Sequence, residues 1–273
     1  MSLNGTLSKM VVSATQPVSY QLPLSDHLVP LNDYLGQTLH LKFTGDIYCI
    51  NCDTRIKKSY QDGYCFPCVQ RLARADLCIV KPERCHFHLG TCKEPEWGQS
   101  HCMIPHCVYL ANSSGIKVGI TRKTQVATRW IDQGAIAALP FFEVATRRVS
   151  GLLEVAIAKH VADKTNWRKM LMGHNEPIDL IEYRTQLMGK LSDDIAKIHE
   201  QFGQQSIKVL EDATVVELSY PVLAYPQKVT SLSFDKHPSI QSKLLGIKGQ
   251  YLIFEAGVIN IRKHSGYKIV LTT

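Results

Sequence analysis

Two Cys-x-x-Cys pairs constrain this chain more than any other feature of its sequence. Cys49 and Cys52 form the first pair, Cys65 and Cys68 form the second, and twelve residues separate them. Each pair places two thiolates on one tight turn, and an Asp-Gly step in the linker suits a hairpin that brings the turns together. This spacing predicts a structural zinc site with four sulfur ligands and no open coordination position. The alternative is a set of free or redox-active thiols.

The remaining cysteines allow a second, less regular metal site. All nine cysteines lie between Cys49 and Cys107, and in a reducing cytosol such clustering favours metal over disulfides. Because thiolates are soft ligands, a site formed here would favour zinc. The alternative is that these cysteines are small buried apolar residues. The predicted ligands are Cys85, Cys92 and Cys102, with Cys78 or a histidine as the fourth.

Composition predicts a folded, soluble protein. The chain has 273 residues, of which 45% are apolar and 20% charged, enough for one large or two modest domains. No apolar run is long enough to predict a membrane helix, and the first residues lack the pattern of a secretory leader. We therefore expect a cytoplasmic protein that makes no membrane contact. Neither a Gly-rich phosphate loop nor a G-x-S-x-G elbow occurs, which argues against nucleotide-driven motors and serine hydrolases.

Positive charge is concentrated in one segment. The net charge is +7, and residues 116–171 contain ten Lys or Arg against four Asp or Glu, which is 10 − 4 = +6. Such a segment suits a polyanion, so we expect nucleic acid, either DNA or RNA, as a partner. A solvated basic face with no partner is the alternative.

Pattern changes along the chain predict an α+β fold in five segments. We expect the first and last segments, both rich in strand patterns, to pair in one sheet or small barrel. Two unrelated β pieces are the alternative. The predicted segments are an N-terminal β segment (1–48), a Cys-rich zinc module (49–107), a mixed core (107–172), a helical arm (176–203) and a C-terminal β region (205–273).

The mixed core carries the main functional signal. CVYLA and IKVGIT predict two strands joined by the turn NSSG, with Gly115 in the turn. A helix with Arg129 follows, then a strand over LPFFEVAT. A second helix is predicted over SGLLEVAIAKHVADKT and contains Glu154.

This order of elements resembles the core of the GIY-YIG nuclease family. Val108-Tyr109-Leu110 and Lys117-Val118-Gly119 fall at the two strand motifs, and Arg129 and Glu154 fall at the helix positions. The resemblance covers residues 107–171. The whole chain also resembles an uncharacterised bacterial family, catalogued as a domain of unknown function, through the strings WIDQGA and DKTNWRKML.

The GIY-YIG resemblance implies specific roles in phosphodiester hydrolysis. Tyr109 would contact or deprotonate the attacking water, Arg129 would bind the scissile phosphate, and Glu154 would hold one Mg²⁺ or Mn²⁺. Lys117 stands where the family usually has Tyr, and a lysine supplies phosphate affinity but is too basic to accept a proton at neutral pH. The spacing from Gly119 to Arg129 is about two residues longer than usual for the family. Asn166 is a loose match to the family's asparagine.

Each of these residues also has a plain structural interpretation. Tyr109 suits a half-buried strand, Arg129 an exposed helix position, and Glu154 the first turn of a helix, where the dipole favours an acid. We therefore predict a zinc protein that binds nucleic acid and cleaves it with a divalent metal. The alternatives are a non-enzymatic zinc protein that binds nucleic acid, or a protein-interaction scaffold.

Overall fold

The computed structural model describes residues 2–161, 166–174 and 176–273. Its strands are β1 (Ser2–Thr6), β2 (Val11–Ser13), β3 (Ser19–Leu24), β4 (His27–Pro30), β5 (Thr38–Tyr48), β6 (Arg55–Ile56), β7 (His106–Asn112), β8 (Ile116–Arg122), β9 (Ala137–Val144), β10 (Ile207–Val209), β11 (Val216–Glu217), β12 (Ser231–Leu232), β13 (Ser239–Lys248), β14 (Tyr251–Phe254), β15 (Gly257–Asn260) and β16 (Tyr267–Thr272). Its α-helices are α1 (Phe66–Arg71), α2 (Pro95–His101), α3 (Val126–Asp132), α4 (Arg147–Ala158), α5 (Trp167–Leu171) and α6 (Leu180–Phe202). The predicted α+β class is confirmed.

The largest sheet joins the two ends of the chain. Its strand order is β1-β16-β5-β13-β14-β15-β12, with β6 paired to β5. β1 runs antiparallel to β16, from Ser2 opposite Thr272 to Thr6 opposite Lys268. The prediction that N- and C-terminal strands pair in one sheet is therefore confirmed.

Alternating side chains of this sheet form the first hydrophobic core. In β5, Leu39 and Leu41 are fully buried while Thr38 and Lys42 are exposed, which is the period of two that the sequence shows. A separate sheet of order β2-β3-β4 adds buried side chains of β3 to the same core. We call these two sheets and their shared core the scaffold.

The smaller sheet has the order β10-β9-β7-β8, with β11 also paired to β9. All seven residues of β7 are buried. Cys107, Tyr109 and Ala111 pack in the scaffold core, whereas Val108 and Leu110 pack in a second core that contains side chains of α4 and α6. Because β7 lies between two hydrophobic layers, its sequence is a continuous apolar run rather than an alternating one.

Helix α4 begins three residues before its predicted start. The Thr146 hydroxyl accepts a hydrogen bond from the Val149 amide at 3.4 Å and caps the helix, so Arg147 is its first residue. Glu154 therefore lies in the middle of α4 rather than in its first turn, and the helix-dipole explanation for this residue is wrong. The end of the predicted helix, residues 162–165, lies outside the described residues.

Helix α6 (Leu180–Phe202) lies within the segment 176–203 that the sequence predicts as a helical arm. It begins at Leu180 because the Asp179 carboxylate accepts hydrogen bonds from the Ile181 and Glu182 amides, at 3.0 and 2.9 Å. It ends before Gly203, which has a φ of +82°. Within the described residues, no helix has both the length and the apolar character needed to cross a lipid bilayer.

The Cys-rich segment is attached to the core through a very close contact. The 3₁₀ turn Pro82–Arg84 packs on α4 at Gly151. A Cβ atom added at Gly151 would lie 2.3 Å from the Glu83 backbone nitrogen and 2.6 Å from the Pro82 carbonyl carbon. Only glycine allows this approach, so Gly151 sets the position of the turn on the helix.

We expect Gly151→Ala to destabilise the protein by about 1–3 kcal/mol, because its methyl group would overlap the backbone of the 3₁₀ turn. Gly189→Ala is the matched control, since Gly189 also lies in a helix but a Cβ there meets nothing within 4 Å. That control should gain up to about 1 kcal/mol from higher helix propensity. Urea unfolding midpoints of both variants test the prediction, and equal effects would contradict it.

Candidate functional site

The first cysteine pair lies on a turn at the end of β5. The Cys49 amide donates to the Thr54 carbonyl at 3.0 Å, and the Asp53 amide donates to the Cys49 carbonyl at 2.9 Å. Asp53 has a φ of +53°, a conformation that Asp tolerates better than most residues. These bonds fold the backbone so that Cys49 and Cys52 lie on the same side of the turn.

The second pair lies at the start of α1, and a backbone bond holds it near the first. Cys65 is the N-cap residue, Cys68 lies in the first turn, and the Val69 amide donates to the Cys65 carbonyl at 3.1 Å. The Ile50 amide donates to the Gly63 carbonyl at 2.9 Å and so joins the two turns. Local hydrogen bonds therefore fix the backbone at both cysteine pairs.

The four sulfur atoms are close enough to share one metal ion. All of them lie within 4.8 Å of one another, and the Sγ atoms of Cys52 and Cys65 are 3.8 Å apart. Zinc–sulfur bonds of about 2.3 Å in a tetrahedron give sulfur–sulfur distances of about 3.8 Å. Cys49, Cys65 and Cys68 are buried and Cys52 is exposed. The cluster fits a metal such as zinc, as its spacing predicts.

The protonation of these thiols also favours a cation. Burial raises the pKa of Cys49, but three nearby backbone amides donate to its sulfur and the net pKa is lowered. Hydrogen bonds from the Thr54 hydroxyl and amide lower the pKa of Cys52 to about 6. A hydrogen bond from the Cys68 amide lowers the pKa of Cys65, but burial and the neighbouring sulfurs raise it to about 12. Four thiolates this close together would repel one another, and a cation between them would offset that repulsion.

The later cysteines also converge. Cys78, Cys85, Cys92 and Cys102 all line one small cavity of about 10 Å³. Among the described residues, the other group of potential ligand atoms within 4.8 Å of one another comprises Asp76, Cys78 and His86. Sequence reasoning missed Asp76. Asp76 caps the turn Leu77–Ile79, and its carboxylate accepts a hydrogen bond from the Cys78 amide at 3.1 Å. An aspartate two residues before Cys78 was the sequence signal that could have placed it beside this cysteine.

Three of the four residues matched to the GIY-YIG motifs line one open cleft of about 450 Å³. Lys117 comes from β8, Arg129 from α3 and Glu154 from α4. Residues 79, 80 and 82 of the Cys-rich segment form one wall. The charged side chains that line the cleft are Lys117, Arg122, Arg129, Arg147, Arg262 and Glu154.

Tyr109 is fully buried and does not line the cleft, although its strand partner Gly119 does. It pairs with Gly119 across β7 and β8, and a Cβ atom at Gly119 would lie 2.5 Å from the Tyr109 hydroxyl oxygen. Gly119 is therefore glycine because the tyrosine ring covers it. Burial raises the pKa of Tyr109, with Arg129 opposing and Glu154 adding to that shift. Tyr109 consequently stays protonated at neutral pH.

Arg147 connects the cleft to the Cys-rich segment. Its guanidinium donates to the Ile79 carbonyl at 2.6 Å, and its backbone amide donates to the Cys102 carbonyl at 2.8 Å. Burial lowers the pKa of Arg147, but an arginine this far from neutral pH remains charged. Its cation therefore lies between the cysteine cavity and the Glu154 carboxylate.

Asn166, the loose match to the family's asparagine, and Trp130 both lie outside the cleft. Asn166 caps α5, where its side-chain oxygen accepts from the Arg168 and Lys169 amides at 3.2 Å. Trp130 is buried against Tyr109 at a ring distance of 6.0 Å. Arg262 joins the cleft from the scaffold, more than 100 residues after Glu154, and no local pattern marks it.

Comparison with known proteins identifies a family but no function. A family model described as "Protein of unknown function (DUF2797)" matches residues 36–269, from just before β5 into β16. This range contains both cysteine clusters and the cleft. Neither the curated proteins nor the solved structures include a match to the chain.

We expect Cys52→Ser to lose one equivalent of zinc on dialysis against a chelator, because three thiolates hold the ion less tightly than four. Cys52 is exposed, so the substitution leaves the packing of the core intact. Cys107→Ala is the control, since Cys107 lies outside both cysteine clusters, and it should keep all of its zinc. Elemental analysis by mass spectrometry measures the stoichiometry. An unchanged zinc content in Cys52→Ser would contradict the site.

Proposed function

The chain belongs to the DUF2797 family, and from its cleft we propose that it is a zinc-binding protein that binds nucleic acid. One observation carries this proposal: five cationic side chains surround one carboxylate in a single open cleft. Folding brings like charges together only against their repulsion, so such a cleft indicates an anionic ligand. A sugar-phosphate backbone supplies anions at a regular spacing and suits several of these cations at once.

The cationic residues come from different parts of the fold. Lys117 and Arg122 lie on β8, Arg129 on α3 and Arg147 at the start of α4. Since helices and a strand hold their backbones, these side chains form a fixed pattern of positive charge. Arginine adds planar donors that match phosphate oxygens in pairs.

Metal-dependent cleavage of the bound strand is the second candidate function. The observation that favours it is the position of Glu154, in the middle of α4, where it lines the same cleft as Arg129. In a GIY-YIG-like site, Arg129 would bind the scissile phosphate and Glu154 would hold Mg²⁺ or Mn²⁺. A hard cation of this kind accepts one carboxylate together with water and substrate phosphate. Because five cationic side chains surround the single carboxylate and repel a free metal ion, we expect Mg²⁺ or Mn²⁺ to bind in the cleft only together with the nucleic acid.

Two features make binding without cleavage the better supported function. Tyr109 is buried with a raised pKa, and Lys117 brings an ammonium group, which has donors and no acceptor, to the position where the GIY-YIG family usually has a tyrosine. Neither group is therefore ready to accept a proton from water. Cleavage would need another base, whereas binding needs only the charges that line the cleft.

We expect Arg129→Ala to weaken nucleic-acid binding by about 5- to 30-fold, the effect of losing about 1–2 kcal/mol. It should also reduce the slope of log K against log salt by about one, as expected for one lost phosphate contact. Fluorescence anisotropy with labelled DNA and RNA, single- and double-stranded, measures both quantities. Lys190→Ala is the control, because Lys190 is exposed on α6 and does not line the cleft. No binding to any of the four probes would favour a protein-interaction scaffold.

We expect Glu154→Gln to bind nucleic acid about 2- to 5-fold more tightly without divalent metal, because the change removes a negative charge from the cleft. The same variant tests cleavage on the four probes with Mg²⁺ or Mn²⁺. Cutting by the wild type that Glu154→Gln lowers by about 100-fold or more would establish the second function. Equal cutting by both proteins would remove Glu154 from any catalytic role.

A further inference from the structure

We propose that Cys78, Cys85, Cys92 and Cys102 bind a second zinc ion, which holds the Cys-rich wall of the cleft against α4. The four cysteines come from four short elements. Cys78 lies in the turn Leu77–Ile79, Cys85 follows the turn Pro82–Arg84, Cys92 lies in a loop, and Cys102 is the C-cap residue that directly follows α2. All four line one cavity.

The cavity has the size and surroundings of a metal site. Its volume of about 10 Å³ is close to that of a single small body such as a water molecule. Cys85 and Cys102 are only 6% and 5% exposed. A zinc ion with four thiolates carries a net charge of −2, and Lys93 on the cavity wall and Arg147 beside it supply opposite charge.

The segment around the cavity lacks a hydrophobic core of its own. Residues 77–104 are all described, and none of them belongs to the hydrophobic clusters of buried residues found in the structure. Short turns and one short helix without such a cluster need another source of stability. A structural metal supplies it, because its binding free energy becomes folding free energy.

Thiolates are better candidates than the neighbouring Asp76 and His86. Asp76 accepts from the Cys78 amide at 3.1 Å and pairs with Lys93 at 3.0 Å. The two ring nitrogens of His86 face the Thr91 hydroxyl at 2.7 Å and the Asp76 carboxylate at 3.5 Å. Both side chains are thus engaged, and zinc prefers soft sulfur ligands.

Binding requires the sulfurs to draw together. Among the described residues, neither the four Sγ atoms nor any three of them form a group within 4.8 Å of one another, unlike those of the first cluster. A rotation about χ1 moves a cysteine sulfur between staggered positions and needs no backbone change. The prediction is therefore four thiolate ligands after this adjustment.

The position of the second ion would affect the cleft. Residues 79, 80 and 82, which form the cleft wall, lie between Cys78 and Cys85. The turn Pro82–Arg84 contacts Gly151 of α4, and Arg147 holds the Ile79 carbonyl. An ion that joins Cys78 to Cys102 thus fixes the wall relative to Arg147 and Glu154. This consequence for binding rests on the proposed function, whereas the metal stoichiometry does not.

Zinc analysis of the full chain tests the site. We expect two equivalents in the wild type, one in Cys85→Ser, one in Cys102→Ser, and two in the control Cys107→Ala. X-ray absorption at the zinc edge of the wild type should show an average of four sulfurs at about 2.3 Å, a result that does not depend on any variant folding. One equivalent in the wild type would overturn the proposal. The proposal would also be overturned if X-ray absorption showed nitrogen or oxygen ligands and if His86→Ala lost zinc while Cys92→Ser kept it.

The effect on the cleft has its own measurement. If Cys85→Ser keeps one zinc, it should bind the labelled nucleic acid about 5-fold more weakly than the wild type. Loss of zinc with unchanged affinity would overturn the role of the ion at the wall and leave the metal site standing. If the wild type binds none of the probes, the proposed function fails, and the zinc counts still decide the second site.

Discussion

The burial of β7 on both faces is the constraint on which the rest of the structure depends. One face of this strand packs in the scaffold core and the other packs under α4 and α6. The pairing of β7 with β8 then places Lys117 and Gly119 at the cleft, and the buried ring of Tyr109 packs against Gly119. A change in the register of β7 by one residue would exchange its two faces and expel Tyr109 from the scaffold core. The site is therefore held by the same packing that joins the two halves of the fold.

Hydrophobic packing stabilises most of the molecule, and a metal ion in the first cysteine cluster would stabilise the Cys-rich segment. The scaffold and the helical core rest on large clusters of buried apolar side chains, whereas the first cysteine cluster is accompanied only by a small one. A tetrahedral zinc site is worth about 10–16 kcal/mol of apparent binding free energy in small domains. Such an ion would allow the Cys-rich segment to keep a fixed shape although it consists mainly of turns. A fixed shape matters because residues of this segment form one wall of the cleft.

The cleft shows a conflict between stability and function. Arg129 and Arg147 lie near enough that each cation disfavours the other, and Glu154 offsets only part of this repulsion. Stability alone would favour neutral side chains in such a place. The arrangement is reasonable if a polyanion completes it, because phosphates then neutralise the cations that the fold has assembled.

The sequence by itself determined the local features: the first cysteine cluster from its spacing, the pairing of the chain ends from their strand patterns, and the order of elements that carries Arg129 and Glu154. These follow from periodicity and short-range turn chemistry, which adjacent residues decide. Only the tertiary structure decided that Tyr109 is fully buried and that Glu154 lies in the middle of its helix. It also decided that Asp76 lies beside the later cysteines and that Arg262 lines the cleft. Such facts depend on contacts between segments far apart in the chain, and a side chain's burial, charge environment and pKa are set by those neighbours and not by the residues beside it.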